Sequence, residues 1–436
     1  MRDALGREVL RLAVPAFGAL VAPSLLLITD TAFVGTLGTN ALAGLAAGSA
    51  VFGVAVGLSY FLAFTATGVV ARRYGAGQYA DAVAAGVNYI VLGLLIGTVA
   101  GVTMWWFAPV FIDWIGTTAA SAPAAITWLR AAAWGTPALV ASMAAIGLFR
   151  GLQDTRITFR VTSLQVGANI VLAAVLLFGF DLGIGAAGAA VAIAEVIGFG
   201  LFMQGLFGYA RSVGATVRVS HARGLLAAFT HGLPLLWRAF ALRTVLMGTT
   251  IVAARLSDSE LAAFYVSLNI WYVLANLLDA IAIAAQAILG KRLGAAEGED
   301  VHVIVGKLQG WAVRYGVGVG VLTIALAPVL PAAFSDDPAV QHNIMLAMLV
   351  IGIHQPLAGL VFLLDGVLIG SGDIRYIAFV QTAAMLVFLP IAYAVAHWQL
   401  GIIALWGAMI AFLITRAVLT YRRARTDAWI VEGATR

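Results

Sequence analysis

The stretch Leu12 to Leu37, LAVPAFGALVAPSLLLITDTAFVGTL, decides how the rest of the chain is read. It is long enough to cross a bilayer, because about 20 apolar residues span the hydrocarbon core. It carries one charge, Asp30, near its end. An ionised side chain at that depth costs at least about 2 to 3 kcal/mol and usually faces a cavity, a partner or an ion path.

Runs of the same kind recur to the end of the chain. The mean hydropathy of +1.00 and a charged fraction of 10% over 436 residues describe an all-α, multi-pass membrane protein and leave little chain for a soluble catalytic domain. Twelve spans are expected, at residues 10–37, 43–71, 82–108, 123–148, 158–179, 185–209, 224–256, 260–290, 301–329, 342–369, 376–396 and 401–421. Arg2, Arg7 and Arg11 precede the first run as in a signal peptide, but the run is too long and lacks a small-residue cleavage site, so a retained helix is expected. Cysteine is absent, which excludes disulfides and thiolate metal sites.

The net charge of +5 does not mark a nucleic-acid surface, because the basic residues sit in short connections. Arg72, Arg73, Arg150, Arg156, Arg211, Arg218, Arg223, Lys291, Arg292 and Arg375 fall on one side, and only Arg130 and Arg255 on the other. The positive-inside rule then places both termini in the cytoplasm.

A displacement of 219 residues lays one half of the chain on the other. It superposes Pro15 on Pro234, Arg73 on Arg292, Gly75 on Gly294, Asp81 on Asp300, Pro109 on Pro328, Pro137 on Pro356, Asp154 on Asp373 and Arg156 on Arg375. One residue is inserted only near the end, where Leu182-Gly-Ile meets Leu400-Gly-Ile. Six spans per half is an even number, so the repeats are parallel, as in transporters built from two like halves. The expected division is a lobe at 1–210, a cytoplasmic linker at 211–223 and a lobe at 224–436.

Four segments carry a family resemblance: Thr29-Asp-Thr-Ala-Phe-Val-Gly35, the Gly75-Ala-Gly77 loop, Arg150-Gly-Leu-Gln-Asp-Thr-Arg156 and Gly370-Ser-Gly-Asp-Ile-Arg375. Together they resemble the multidrug and toxic compound extrusion (MATE) family. Leu242-Arg-Thr, Asn276-Leu-Leu-Asp279 and Ala285-Gln-Ala-Ile-Leu-Gly290 look like its DinF branch. The resemblance implies twelve helices in two six-helix lobes, and export of organic, often cationic, compounds driven by inward proton or sodium flow. It also implies that Asp30 takes part in ion coupling and that Asn169 matches a family Asn. Relatives carry an Asp one turn after that Asn, where this chain has Ala173.

Depth counting brings a candidate site together. At about 1.5 Å per residue, Asp30 lies roughly 12 Å below the outer end of its span, and Asn169 and Glu195 roughly 15 Å below theirs. A structural reading competes at two of them, Asp30 satisfied by Thr29, Thr31 and neighbouring helices and Asn169 as a helix-to-helix link, whereas Glu195 reads as a functional stand-in for the acid missing at Ala173. Pro15 and Pro23 interrupt the hydrogen-bond ladder upstream of Asp30 and are candidate bending points, although neighbours readily accommodate such prolines.

The second half has a polar stripe at helical spacing, Asn269, Tyr272, Asn276, Asp279 and Gln286, which must face protein or water. Arg238 and Arg243 on the preceding span are candidate partners for Asp279, as a lock, an ion site or a strut. Asp365 is expected at the inner interface, where charge costs little. His354 reads either as a proton relay or as a packing residue.

No GxxxxGK[ST], H-E-x-x-H or nucleophile elbow is present, so neither ATP-driven transport nor an enzyme has sequence support. The expected activity is secondary efflux of an organic substrate in antiport with protons, by alternating access. Sodium is the alternative ion, with Asp30 and Asn169 as its oxygen ligands. A lipid-linked oligosaccharide flippase of the broader superfamily is the alternative function. No cofactor or nucleic acid is expected, the bilayer is the main partner, and a monomer in a bacterial cytoplasmic membrane is anticipated.

Overall fold

The computed structural model describes residues 2–180, 182–218, 222–296 and 301–435. Asp300 of the repeat and part of the expected linker, residues 219–221, lie outside the described residues. Among the described residues the regular structure is helical, in the order α1 (Arg2–Gly35), α2 (Thr39–Gly75), α3 (Tyr79–Ile115), α4 (Ala122–Ala133), α5 (Thr136–Gly151), α6 (Thr155–Ala174) and α7 (Ile184–Ser212). There follow α8 (Ala222–Leu256), α9 (Asp258–Gly294), α10 (Val301–Leu326), α11 (Pro338–Gly370), α12 (Ile374–Trp398) and α13 (Gly401–Ala424).

Each expected span corresponds to one of these helices except the fourth, which is two. Among the described residues ten helices are long and apolar enough to cross a membrane, and α4 with α5, bent by 53°, make an eleventh span. The remaining expected span, the ninth (301–329), is α10, which carries Lys307 and Arg314. The break follows from Trp134-Gly-Thr-Pro137: glycine is a poor helix former, and proline removes a donor and clashes with the preceding turn. The mate of Pro137 is Pro356, yet α11 runs unbroken past it. There the mate of Gly135 is His354, and Gly135 packs so closely on α7 that a Cβ would lie 2.6 Å from the Cα of Ala192.

The chain forms two compact units, one of Leu10–Leu233 with Thr435 and one of Pro234–Ala434 with the N-terminal residues through Val9. They are called the first-half and second-half units below. Within each, the repeat is visible as the same backbone contact. In the first-half unit Gly147 and Gly151 of α5 lie against the carbonyls of Ala63 and Thr67 on α2. In the second-half unit Gly366 and Gly370 of α11 lie against Ala282 and Gln286 of α9, each residue 219 positions later. Small residues four apart let two helix backbones approach in a membrane, where packing replaces the hydrophobic drive between helices. Gly366→Val is therefore expected to destabilise by about 1 to 3 kcal/mol through overpacking. A lowered midpoint of thermal unfolding in detergent checks this, and an unchanged midpoint refutes it.

Candidate functional site

The first-half unit contains a cavity of about 290 Å³ lined by α1, α2, α4, α5, α6 and α7. Asp30 and Glu195 both line it, with Pro23, Tyr60, Trp128 and Arg150 among the other walls. Asp30 is 5% exposed. The hydroxyls of Thr29 and Thr31 do not serve it, because they donate to their own helix at Leu25 O (2.9 Å) and Leu27 O (2.7 Å). Its partner comes from α6. With the amide of Asn169 oriented to satisfy its surroundings, Nδ2 donates to Asp30 Oδ1 at 3.2 Å and Oδ1 accepts from the Val191 N–H of α7 at 3.2 Å. Asn169 is buried and so ties α1 to α7 through one side chain.

Glu195, on the same wall of α7 one turn beyond Val191, accepts a hydrogen bond from the side chain of Gln165 on α6. Each cavity carboxyl thus has a neutral amide beside it, Asp30 with Asn169 and Glu195 with Gln165. The three residues expected at one depth share one cavity wall or bond directly to it. Gln165 is not among the residues that depth counting selects, although it stands one turn before Asn169 and on the same helical face. Ala173 is fully buried against neighbouring helices. α1 is continuous through Pro15 and Pro23.

In the second-half unit the buried charges converge on Asp365. Arg238 donates to Asp365 Oδ2 at 2.6 Å, and Arg416 of α13 donates to the same oxygen at 2.5 Å. Asp365 is therefore the buried centre of a charge cluster and not an interfacial acid; its side chain is 7% exposed and that of Arg416 is 5% exposed. Asp279 lies within electrostatic reach of Arg416 and belongs to the same cluster. Arg243 is exposed and lies close enough to Tyr272 to act on its hydroxyl.

The polar stripe of α9 divides along its length. Asn269 and Tyr272 are exposed, Asn276 and Asp279 half-buried, and Gln286 buried at the contact with Gly370. Asn269 donates to Tyr265 O on its own helix at 2.8 Å. His354 stacks on Trp406, with ring centroids 6.4 Å apart, and its Nδ1 lies 2.9 Å from Val350 O, which is a packing role.

The two halves contrast at equivalent positions. The mates of Arg238 and Asp365 are Ala19 and Ile146, and both of these line the cavity of the first-half unit. One repeat fills this place with an ion pair and the other leaves it hollow beside Asp30. The mate of Asp30 is Thr249, which is fully buried and bonded to Leu246 O of its own helix at 2.7 Å.

An all-helical, multi-pass membrane protein with two like halves and a largely apolar cavity carrying two carboxyls is the architecture of a transporter. The MatE family matches residues 15–175 and 234–394, the second match displaced from the first by the repeat interval of 219, and the chain belongs to this family. It is 27% identical over 485 residues to Protein DETOXIFICATION 43 of Arabidopsis thaliana, covering 98% of this chain and 91% of that protein. It is 25% identical over 438 residues to the probable multidrug resistance protein NorM of Thermotoga maritima, covering 95% and 90%. Among solved structures it resembles the Vibrio cholerae MATE transporter VcmN in the bent form, with TM-score 0.88, 19% identity and 97% of each chain covered. A MOP superfamily transporter from Pyrococcus furiosus is similar at TM-score 0.84 and 19% identity, covering 96% and 94%. The chain is a MATE-family transporter and not an enzyme.

Proposed function

We propose that the protein exports organic, cationic or amphipathic compounds in antiport with protons, with Asp30 as the coupling acid. The observation that carries this reading is the Asp30–Asn169 hydrogen bond on the wall of the first-half cavity. A neutral amide accommodates a carboxyl in either protonation state, whereas a fixed guanidinium would hold it ionised. A charged Asp30 attracts a cationic substrate, and a protonated one releases it. Apolar and aromatic walls suit varied organic bodies, since such pockets fix orientation with few polar groups.

The reading is extended by the sequence features of the DinF branch in α8 and α9 and by the basic loops, which support cytoplasmic termini, and it takes a bacterial cytoplasmic membrane as the setting. It takes the transporting unit as a monomer. The test is transport in proteoliposomes loaded with a fluorescent organic cation. An inward proton gradient is expected to accelerate efflux, and a sodium gradient at equal pH to leave it unchanged. Stimulation by sodium alone transfers coupling to the other ion, and insensitivity to both gradients overturns antiport.

A further inference from the structure

The break in the fourth span opens a second hollow in the first-half unit, about 220 Å³ in volume, whose lining shares no residue with the Asp30 cavity. It lies where α3 meets the bend between α4 and α5. Glycine sets its floor: a Cβ at Gly97 would come within 2.7 Å of Pro137 Cα, and one at Gly101 within 2.8 Å of Ala133 O. The two backbones therefore touch, and Trp105 and Trp134 stand on either side, 39% and 74% exposed. α3 leaves the basic inner loop at Tyr79, so this end of it is at the outer membrane face. Tryptophan is enriched at that level.

Beside this apolar groove is Arg130, which the transport reading does not use. Pro109 has no N–H, so the carbonyl of Trp105, four residues earlier, lacks its helical donor. Arg130 Nε donates to that carbonyl at 3.2 Å, and the guanidinium carbon lies 5.3 Å over the Trp105 ring. These two contacts fix the plane of the fork. Neither terminal nitrogen has a hydrogen bond or ion-pair partner among the described residues. A pre-oriented fork with free N–H groups matches a phosphate oxygen pair.

The geometry points to a specific site for a phospholipid of the outer leaflet with an anionic headgroup. The phosphate engages the terminal nitrogens of Arg130, whose positive charge disfavours the second cation that a choline headgroup brings to the same place, and an acyl chain lies in the groove between Trp105 and Trp134. The occupant is a lipid and not free phosphate, because the groove is apolar and the fork stacks on Trp105, which lines it. A carbonyl-capping role alone would use Nε and leave no headgroup preference.

Native mass spectrometry of the full-length protein, equilibrated with vesicles of phosphatidylglycerol and phosphatidylcholine of identical chains, tests this. Wild type is expected to retain phosphatidylglycerol preferentially. Arg130→Gln should lower that preference by about tenfold, the worth of one charge-assisted hydrogen bond. Val102→Trp, which fills the groove from an exposed lining position, should remove retention of both lipids with Arg130 intact. Equal retention of the two lipids by wild type, or an unaltered preference in Arg130→Gln, overturns the site. If Arg130→Gln does not fold, unchanged phosphatidylglycerol retention in Val102→Trp overturns it equally.

Discussion

Replacing Asp365 by alanine will destabilise the second-half unit more than any other single change in its charge cluster, by about 3 to 5 kcal/mol. Two guanidiniums, Arg238 and Arg416, share one carboxylate oxygen in a buried setting. Removing that carboxylate leaves two like charges facing each other without the water that would screen them. Arg416→Gln should cost less, because Arg238 still neutralises the acid. Arg238→Gln should cost least, since the Arg238 side chain is the more exposed, at 16% against 5%. Asp365→Ala combined with Arg416→Gln should recover part of the loss, because coupled residues are not additive. Thermal unfolding in detergent measures all four. A loss below about 1 kcal/mol for Asp365→Ala would reduce the pair to the worth of a surface bridge, and strict additivity in the double variant would remove the coupling.

Much of this architecture is legible in the amino-acid sequence. Span length and the 219-residue interval produce the helices and their two like sets, because a bilayer demands apolar runs of one length and the repeat preserves proline and glycine positions. Counting rise from the span ends also puts Asp30, Asn169 and Glu195 at one depth. The same counting misplaces Asp365. It stands four residues from the expected span end at 369, which points to the interface, whereas α11 delivers it into a buried junction with α8 and α13. Arg416 is hidden for the same reason, five residues before the expected end at 421. Depth along one helix carries no information about which side of it is covered. A usable signal does exist in the repeat, since charges whose mates are Ala19 and Ile146 are additions to a common frame. The helix break at Gly135 is likewise visible as a difference between Trp134-Gly-Thr-Pro137 and Ile353-His-Gln-Pro356, although the contact with Ala192 that favours it is long-range.

Asp30→Asn is expected to reduce proton-driven efflux to the passive leak while leaving the fold intact. Asparagine preserves size and can still bond Asn169, so the link from α1 through α6 to α7 persists. It cannot exchange a proton, and a gradient drives transport only through a group whose proton affinity differs between the states it connects. Asp30→Glu keeps the acid but moves the carboxyl by about one methylene. It should retain coupling at reduced rate, because the 3.2 Å bond to Asn169 must be remade in a cavity of fixed walls. Glu195→Gln separates the two acids of the cavity. If Asp30 alone couples, Glu195→Gln should keep a stimulation by the proton gradient that Asp30→Asn has lost. The measurement is initial efflux rate in proteoliposomes with and without the gradient, alongside thermal unfolding of each variant. A folded Asp30→Asn protein that still responds to the gradient would exclude Asp30 as the coupling acid, and loss of the response in Glu195→Gln alone would pass that role to Glu195.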